Sequence, residues 1–202
     1  KQKTAYEIPK RDWSSDVCSS DLQRFVAMAR KHGATIQLKP ADIAKVFSVS
    51  GGVPVAQRPP QRQAYRLAEL QRWSDFLTIP INLHPTFFPV PAEPGAKLII
   101  AALHSDGTDK ALDLAFALGR AVWSEEKNIA DEATLIAIAD NIGLHGKALL
   151  THSASDSVAA DYAKNTEDAL KANVFGVPWY RVDGQGYWGQ DRLDFVERAL
   201  AS

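Results

Sequence analysis

The residues with the clearest chemical potential form a short apolar loop near the C-terminus, FGVP at positions 175–178. Cis-proline occurs at X-Pro bonds in tight loops, and glycine at position 176 permits a second backbone to come close. We predict that the backbone N–H and C=O of Val177, beside Pro178, can pair with an extended peptide ligand. The alternative is a strand that merely begins with proline, and the loop taken alone favours that plainer interpretation.

A second candidate site follows in the sequence WGQDRL at positions 188–193. Asp191 is predicted to be the N-cap of the last helix. The free N–H groups of such a helix start accept a carboxylate, while the aspartate itself can hold an ammonium group. Gln190 offers both a donor and an acceptor. A ligand with an α-amino acid at one end and an extended backbone in the middle fits both segments, and glutathione is such a ligand.

Helices and strands must position these two segments, and the spacing of apolar residues predicts them. Four aromatic residues at helical spacing are predicted to be core rather than a substrate platform: Tyr65, Trp73, Phe76 and Trp123. The predicted helices are residues 23–32 (ending at Gly33), 61–77, 95–104, 108–125, 131–142, 145–152, 155–173 and 191–201. The predicted strands are 34–38, 179–182 and 187–188, with a hairpin turn at 183–186, and 48–60 and 80–94 are predicted to be irregular.

This order of elements predicts a two-part α/β fold in which a helical insertion splits a small sheet domain. The first part of the sheet domain covers residues 23–54, the insertion covers 55–153, and the second part covers 154–202. Because three strands make a small sheet, at least one more strand is expected before Gln23.

Residues 1–22 are treated apart from this fold because they resemble a translated sequencing adapter. Positions 1–7 and 12–22 back-translate, in one frame, into the two ends of a common index-side adapter. We expect a structure to show this segment loosely packed or drawn into a short helix or strand. Cys18, the only cysteine, lies inside it, so the rest of the chain carries no thiol. A chain without thiols fits a cytoplasmic setting.

The composition excludes several classes of protein. The 202 residues include 23 Lys and Arg against 24 Asp and Glu, and 46% are hydrophobic. This balance gives no electrostatic footprint for nucleic acid or an anionic membrane. No apolar run approaches the roughly 18–20 residues of a membrane span. The five histidines lack the spacing of metal ligands, so we predict no metal site.

With the loop and the WGQDRL motif, the chain resembles the 2-hydroxychromene-2-carboxylate isomerases. These are relatives of the kappa-class glutathione transferases within the DsbA-like thioredoxin fold. The resemblance covers most of residues 23–200 and includes Lys45-Val46-Phe47, Gly51-Gly52, Tyr65, Arg72-Trp73, Pro80, Phe88-Pro89 and Ala121-Val122-Trp123. It implies an α/β fold with a thioredoxin-like sheet domain split by an all-helical insertion. The first strand and the start of the first helix, which would precede Gln23, are then expected to be missing.

The resemblance implies a glutathione-dependent isomerase of aromatic-compound catabolism that acts on a small aromatic carboxylate. The glutathione thiolate adds to the conjugated chromene, the ring opens, a bond rotates, and the thiol is eliminated. Because members of the family are often dimers, a homodimer is also an expectation.

By motif position, the resemblance implies that the Val177 backbone, next to Pro178, pairs with the cysteinyl unit of glutathione. The residues implied to hold the glutamyl end are Trp188, Gly189, Gln190 and Asp191. Lys45 and Arg58 are further candidates for carboxylates on glutathione or substrate. His84 is a candidate because it lies between two proline-rich turns near the expected pocket.

The family's central residue is a serine in a Ser-Pro pair after the first strand, whose hydroxyl favours the thiolate of glutathione. Its place is upstream of Gln23, and the serines found there belong to the adapter-like segment: Ser14, Ser15, Ser19 and Ser20. No residue of the chain matches it, so we expect this chain to be inactive. Because the missing strand and helix start would expose an edge and part of the sheet core, we also expect the chain to be poorly stable or prone to aggregation. Three alternatives remain. They are a DsbA-like dithiol-disulfide oxidoreductase that has lost a Cys-x-x-Cys, a kappa-type glutathione transferase, and a catalytically silent binding domain.

Overall fold

The computed structural model describes the backbone of residues 5–6 and 18–21 and all of residues 22–202. The helices are α1 (Cys18–Lys31), α2 (Ile43–Ser50), α3 (Pro60–Leu77), α4 (Glu93–Ser105), α5 (Thr108–Trp123), α6 (Glu132–Asn141), α7 (Gly146–Ser153), α8 (Asp156–Lys171) and α9 (Leu193–Ala201). The strands are β1 (Ala5–Tyr6), β2 (Trp179–Val182) and β3 (Gln185–Trp188). Short 3-10 turns cover Val55–Gln57 and Gln190–Arg192.

The three strands form one antiparallel sheet in the order β1-β2-β3. Asp183 and Gly184 close the β2–β3 hairpin with φ values of 47° and 86°. Two consecutive positive φ angles match the twist of paired strands, which is why Asp-Gly turns are common in hairpins. The predicted hairpin is confirmed, but its turn covers only residues 183–184, because Gln185 and Gly186 already pair with β2. Trp179 lies opposite Trp188 at the open end of the hairpin.

Three hydrophobic clusters hold the described part together. The largest is formed mainly by the four helices α4, α5, α6 and α7 and includes Leu98, Leu114 and Trp123, each at most 1% exposed. A second packs α2 and α8 against the loop before β2. The third packs α1 and α9 onto β2, with the rings of Phe25 and Tyr180 5.0 Å apart. The hairpin that carries the candidate residues is therefore buried on the side of α1 and α9.

Most predicted helices are confirmed to within two residues at either end, including the N-cap of α8, where Ser155 accepts from the Val158 N–H. The strand predicted at 34–38 is wrong, since only Thr35 forms a β bridge among those residues. The chain that follows bonds to α8 instead. Asn165 Nδ2 donates to the Pro40 carbonyl, and the Asp42 N–H donates to Thr166 Oγ1.

The first helix begins five residues earlier than the sequence predicted. We expected its ordered part to begin at Gln23, with the start of the helix missing. Instead α1 begins at Cys18, and Gln23 lies inside the helix with its side chain exposed. The predicted bounds began at Gln23 because residues 18–22 were set apart from the fold. Leu22, which is 4% exposed, supplies an apolar side chain that packs in the largest hydrophobic cluster and supports the first turns of α1.

The adapter-like segment contributes to two described elements. Residues 5–6 form β1 beside β2, and residues 18–22 form the first turn of α1. The expectation that this segment forms a short helix or strand is confirmed for these residues. Positions 1–4 and 7–17 lie outside the described part. Within that described part, no helix is both long enough and apolar enough to cross a bilayer.

The aspartate at position 168 ties the chain before α2 to α8, and this contact predicts a pH dependence of stability. Lys39 Nζ and Lys164 Nζ each lie 2.8 Å from Asp168 Oδ2. Hydrogen bonds from Lys164 and then Lys39 lower the pKa of Asp168 to about 2. Because the folded state lowers this pKa, the contribution is complete above about pH 4 and is lost as the pH falls through about 2.

We expect Asp168→Asn to lower the free energy of unfolding by about 1–2 kcal/mol at pH 7, and the difference from wild type to shrink towards pH 2. Urea unfolding of both proteins across this range measures it. The neighbouring substitution Glu167→Gln is the control, because Glu167 is exposed and lies 3.7 Å from Lys171. If the difference in the free energy of unfolding between wild type and Asp168→Asn stayed constant down to pH 2, it would contradict the lowered pKa of Asp168.

Candidate functional site

The cis-proline loop and the WGQDRL motif meet at the open end of the hairpin. The Val177–Pro178 peptide bond is cis, as predicted. The Gly189 N–H donates to the Pro178 carbonyl over 3.0 Å, which joins the end of one segment to the start of the other. The two segments that the sequence singled out separately thus lie side by side.

Aromatic rings pack against one another where the two segments meet. The ring of Phe175 lies edge-on to those of Trp188 and Trp179, with centroids 5.0 and 5.3 Å apart. A Cβ atom at Gly176 would lie 2.5 Å from Trp188 Nε1. Gly176 was predicted to admit another backbone, but here it admits the Trp188 indole. The glycine therefore sets how closely the loop and β3 pack.

Burial divides the six residues predicted to bind glutathione. Four lie in the interior: Val177, Pro178, Gly189 and Gln190. Val177 is 0% exposed and Gln190 is 1% exposed. Trp188 is half-buried and Asp191 is exposed, so these two present their side chains to solvent. A ligand that paired with the Val177 backbone would first have to displace what covers it.

Asp191 is not the N-cap of the last helix, contrary to the sequence prediction. Residues Gln190–Arg192 form a 3-10 turn, and α9 begins only at Leu193, with Arg192 in the N-cap position. The turn moves the helix start beyond Asp191, whose Oδ2 accepts from Arg192 Nη1 at 2.7 Å. The Asp191 carboxylate is therefore presented to solvent beside a guanidinium rather than turned onto helix N–H groups.

A small cleft of about 200 Å³ opens beside Trp188. Its lining residues come from the end of α2, the following loop, α3, the cis-proline loop and β3: Ser50, Gly51, Gly52, Val53, Arg58, Arg62, Phe175 and Trp188. Arg58 is 7% exposed, and its Nε donates to the Val53 carbonyl over 2.8 Å. Arg62, one turn further on, is exposed. Two guanidiniums beside two aromatic rings favour a ligand with carboxylates.

His84 and Lys45 lie apart from this cleft. His84 lines a larger cavity of about 400 Å³, together with Gln63, Arg66, Leu67, Pro85 and Phe88 among others. Lys45 is exposed on α2, and its N–H is capped by Asp42 Oδ1 at 3.2 Å. Neither residue is among those that line the cleft beside Trp188.

The start of the chain supplies no side chain to either cavity among the residues described. The serine that the resemblance implies would lie upstream of Gln23, and Gln23 itself is exposed on α1 and lines neither the cleft nor the larger cavity. The expectation that no residue within 23–202 takes the place of this serine stays a prediction. The cleft beside Trp188 is the candidate binding site.

Sequence reasoning did not identify two arginines that line these cavities, Arg62 and Arg66. The helical spacing of aromatic residues had predicted that Tyr65 and Phe76 belong to the core. This prediction is wrong, because Tyr65 is 60% and Phe76 is 74% exposed, whereas Trp123 on α5 is buried as predicted. The buried residues of α3 are Arg66 and Leu70, four positions apart. This i, i+4 spacing would have identified the buried face of α3 if the sequence analysis had accepted an arginine at a buried position.

The family model of the DSBA-like thioredoxin domain matches residues 12–201 of this chain. The chain therefore belongs to the family of DsbA-like thioredoxin domains, and the predicted fold class is confirmed. It is 29% identical over 174 residues to the 2-hydroxychromene-2-carboxylate isomerase of Sphingobium xenophagum, covering 86% of each chain. The resemblance to this group of isomerases is thereby confirmed.

Two solved structures show the same fold. A 2-hydroxychromene-2-carboxylate isomerase superposes with a TM-score of 0.76 at 23% identity, over 99% of this chain and 94% of that one. The cytosolic disulfide reductase DsbM from Pseudomonas aeruginosa, solved with GSH, has a TM-score of 0.67 at 16% identity. That match covers 98% of this chain and 96% of DsbM.

Proposed function

We propose that this chain is a glutathione-dependent isomerase of the 2-hydroxychromene-2-carboxylate type, from the breakdown of aromatic compounds, and that it is itself inactive because no residue in it matches the serine of the family. The observation that carries the proposal is the junction of the cis-proline loop with the WGQDRL motif, through the bond from the Gly189 N–H to the Pro178 carbonyl. This junction lies beside the cleft that holds Arg58 and Arg62. A cytoplasmic setting is part of the proposal, because residues 19–202 contain no thiol.

The relatives support this choice of reaction. The Sphingobium xenophagum relative carries the isomerase name and spans most of this chain. A DsbA-like neighbour solved with GSH supports the choice of thiol. Bound glutathione supplies a thiol nucleophile whose addition and later elimination leave the substrate isomerised with no net oxidation. A protein without its own thiol could catalyse this reaction.

The charges around the cleft suit the three charged groups of glutathione. Arg58 and Arg62 would bind its carboxylates, and the exposed Asp191 carboxylate would bind its α-ammonium group. The rings of Phe175 and Trp188 would pack against the middle of the peptide. Of the interior residues, Gln190 and Gly189 would keep the motif in shape, and the Val177 backbone would pair with the cysteinyl unit once exposed.

The division of the chain is part of the same proposal. Residues 23–54 and 154–202 would form the two parts of the thioredoxin-like domain, with 55–153 as the helical insertion. The clusters support this division in the main, because the largest cluster lies chiefly in α4–α7. Leu22 and Leu38 join that cluster from the other side and would hold the two parts together. A homodimer remains part of the proposal and is checked by light scattering.

Titration calorimetry with glutathione tests the proposed site. We expect the chain to bind glutathione, and Arg62→Ala to weaken the affinity about tenfold, as for the loss of one charge-assisted hydrogen bond. Arg72→Ala is the matched control, because Arg72 is an exposed arginine on the same helix, paired with Glu69. Failure of the wild-type chain to bind glutathione would contradict the proposal and favour the alternative of a catalytically silent binding domain. Equal losses in both variants would exclude the cleft as the site.

A further inference from the structure

The chain between α3 and α4 forms one wall of the larger cavity. Residues 78–92 are all described and contain neither helix nor strand. From this segment Leu83, His84, Pro85 and Phe88 line the cavity, together with residues of α3 and of the chain at 54–56. We call residues 80–86 the strap. The shape of the cavity depends on where the strap is held.

Two hydrogen bonds attach the first part of the strap to the end of α5. The Asn82 N–H donates to the Trp123 carbonyl over 2.6 Å. Ser124 Oγ donates to the Pro80 carbonyl, also over 2.6 Å. Because Trp123 lies in the largest hydrophobic cluster, these bonds tie the wall of the cavity to the core.

Glu126 attaches the last part of the strap from a strained position. Its φ is 52°, and the next residue, Lys127, donates its N–H to the Ala121 carbonyl over 2.8 Å, a closure of helix ends at which glycine is usual. Glu126 Oε2 accepts the Thr86 N–H over 2.7 Å. The hydroxyl and then the N–H of Thr86 lower the pKa of Glu126, so the ionised carboxylate is the form that holds the strap.

Both flanks of the strap are anchored by other contacts. Before it, the Ile79 N–H donates to the Ser74 carbonyl over 3.0 Å, and Ser74 Oγ donates to the Ile79 carbonyl over 2.6 Å. After it, the ring of Phe88 packs on that of Trp123 with centroids 4.8 Å apart. The strap can therefore leave the end of α5 while α3 and Phe88 stay in place.

We propose that Glu126 is a positioning residue that acts through Thr86 to hold the strap as a movable wall of a binding cavity for small apolar compounds. The volume of about 400 Å³ and the many proline, leucine and valine side chains of the wall are typical of a ligand pocket. A strained backbone at a residue whose side chain makes a specific contact indicates a function for that residue. The inference is independent of the glutathione site, because the described lining of the cleft beside Trp188 includes no strap residue.

Amide hydrogen exchange, followed by NMR, tests whether the strap moves as a unit. In wild type we expect the Thr86 and Asn82 N–H groups to exchange with the same opening constant. Glu126→Gly should speed both by about tenfold, although it removes no partner of the Asn82 N–H. The Lys127 N–H should keep its rate, because its bond closes the end of α5. The urea midpoint should change little, since relief of the positive φ offsets the freedom that glycine adds to the unfolded chain.

N-phenyl-1-naphthylamine, a neutral fluorescent probe, tests the cavity itself. Wild type should bind it with shifts in the methyl NMR signals of Leu67 and Leu83, which line the cavity. Glu126→Gly should release the probe about tenfold faster, and Glu126→Gln should restore part of the wild-type rate because it keeps an acceptor oxygen. Glu125→Gln is the matched control, because the Glu125 carboxylate pairs with Arg120 outside the strap.

Three results would overturn the inference. They are faster exchange at Thr86 alone, the same changes in Glu125→Gln, or a probe that leaves the signals of Leu67 and Leu83 in place. If Glu126→Gly does not fold, as judged by circular dichroism, wild type and Glu126→Gln decide the outcome. Unequal opening constants for the Thr86 and Asn82 N–H groups in wild type would then refute a strap that moves as a unit.

Discussion

Replacing Gly176 by alanine is expected to weaken glutathione binding at least tenfold and to lower the free energy of unfolding by about 1–3 kcal/mol. The added methyl group would lie 2.5 Å from Nε1 and 3.0 Å from Cε2 of Trp188, which are atoms of a rigid ring. The indole must therefore move, and it forms a wall of the cleft beside Phe175. Calorimetric titration with glutathione and urea unfolding measure the two effects.

Gly95→Ala is the matched control for Gly176→Ala. A methyl group at Gly95 would meet Leu118 Cδ1 at 3.5 Å and Ile129 Cδ1 at 3.8 Å, which are ordinary contacts. Because Gly95 lies in the first turns of α4, alanine should stabilise the chain by about 0.5–1 kcal/mol and leave glutathione binding unchanged. Wild-type affinity in Gly176→Ala would show that the position of Trp188 does not matter for the ligand.

Trp123→Ala is expected to cause the largest loss of stability, about 3–5 kcal/mol. Trp123 is 1% exposed and belongs to the largest hydrophobic cluster. Its ring centroid lies 4.8 Å from that of Phe88, and the guanidinium of Arg66 lies over it. Removing the indole leaves a void behind Phe88 and Arg66. The wall of the larger cavity should therefore loosen as the chain loses stability.

Urea unfolding measures this loss, and Trp73→Ala is the control. Trp73 is half-buried on α3 and packs edge-on to Phe76, which is 74% exposed. The same substitution there should cost less than half as much, because water fills the space that is left. Equal losses at the two positions would contradict the assignment of Trp123 to the core.

The sequence predicted the hairpin and most helices because their signals are local. Asp183-Gly184 has the residues that a tight hairpin turn requires, and Ser155 caps α8. Helix α2 was missed, since its serines and the following Gly51-Gly52 pair are typical of a loop. The helix forms because Asp42 caps it and because Val46 and Phe47 pack in the cluster shared with α8. Such packing depends on residues more than 100 positions away.

The candidate site was predicted in part for the same reason. The cis-proline loop and the WGQDRL motif are local patterns, and the hydrogen bond from the Gly189 N–H to the Pro178 carbonyl brings them together. Burial cannot be read from a motif, so the sequence did not separate the interior Val177 and Gln190 from the exposed Asp191. Arg62 and Arg66 were missed because the residues that line the cavities with them are distant in the sequence, such as Trp188 with Arg62 and His84 with Arg66. Their positions depend on how α3 rotates against those loops.

The most direct test of this account is an NMR titration of the chain, with ¹⁵N-labelled tryptophan, against glutathione. The indole signals of Trp188 and Trp123 are assigned by replacing each residue with phenylalanine. We predict that glutathione shifts the signal of Trp188, which lines the cleft, and leaves that of Trp123 in place. A titration that moves neither signal, or moves Trp123 alone, would contradict the glutathione site on which the proposed isomerase depends.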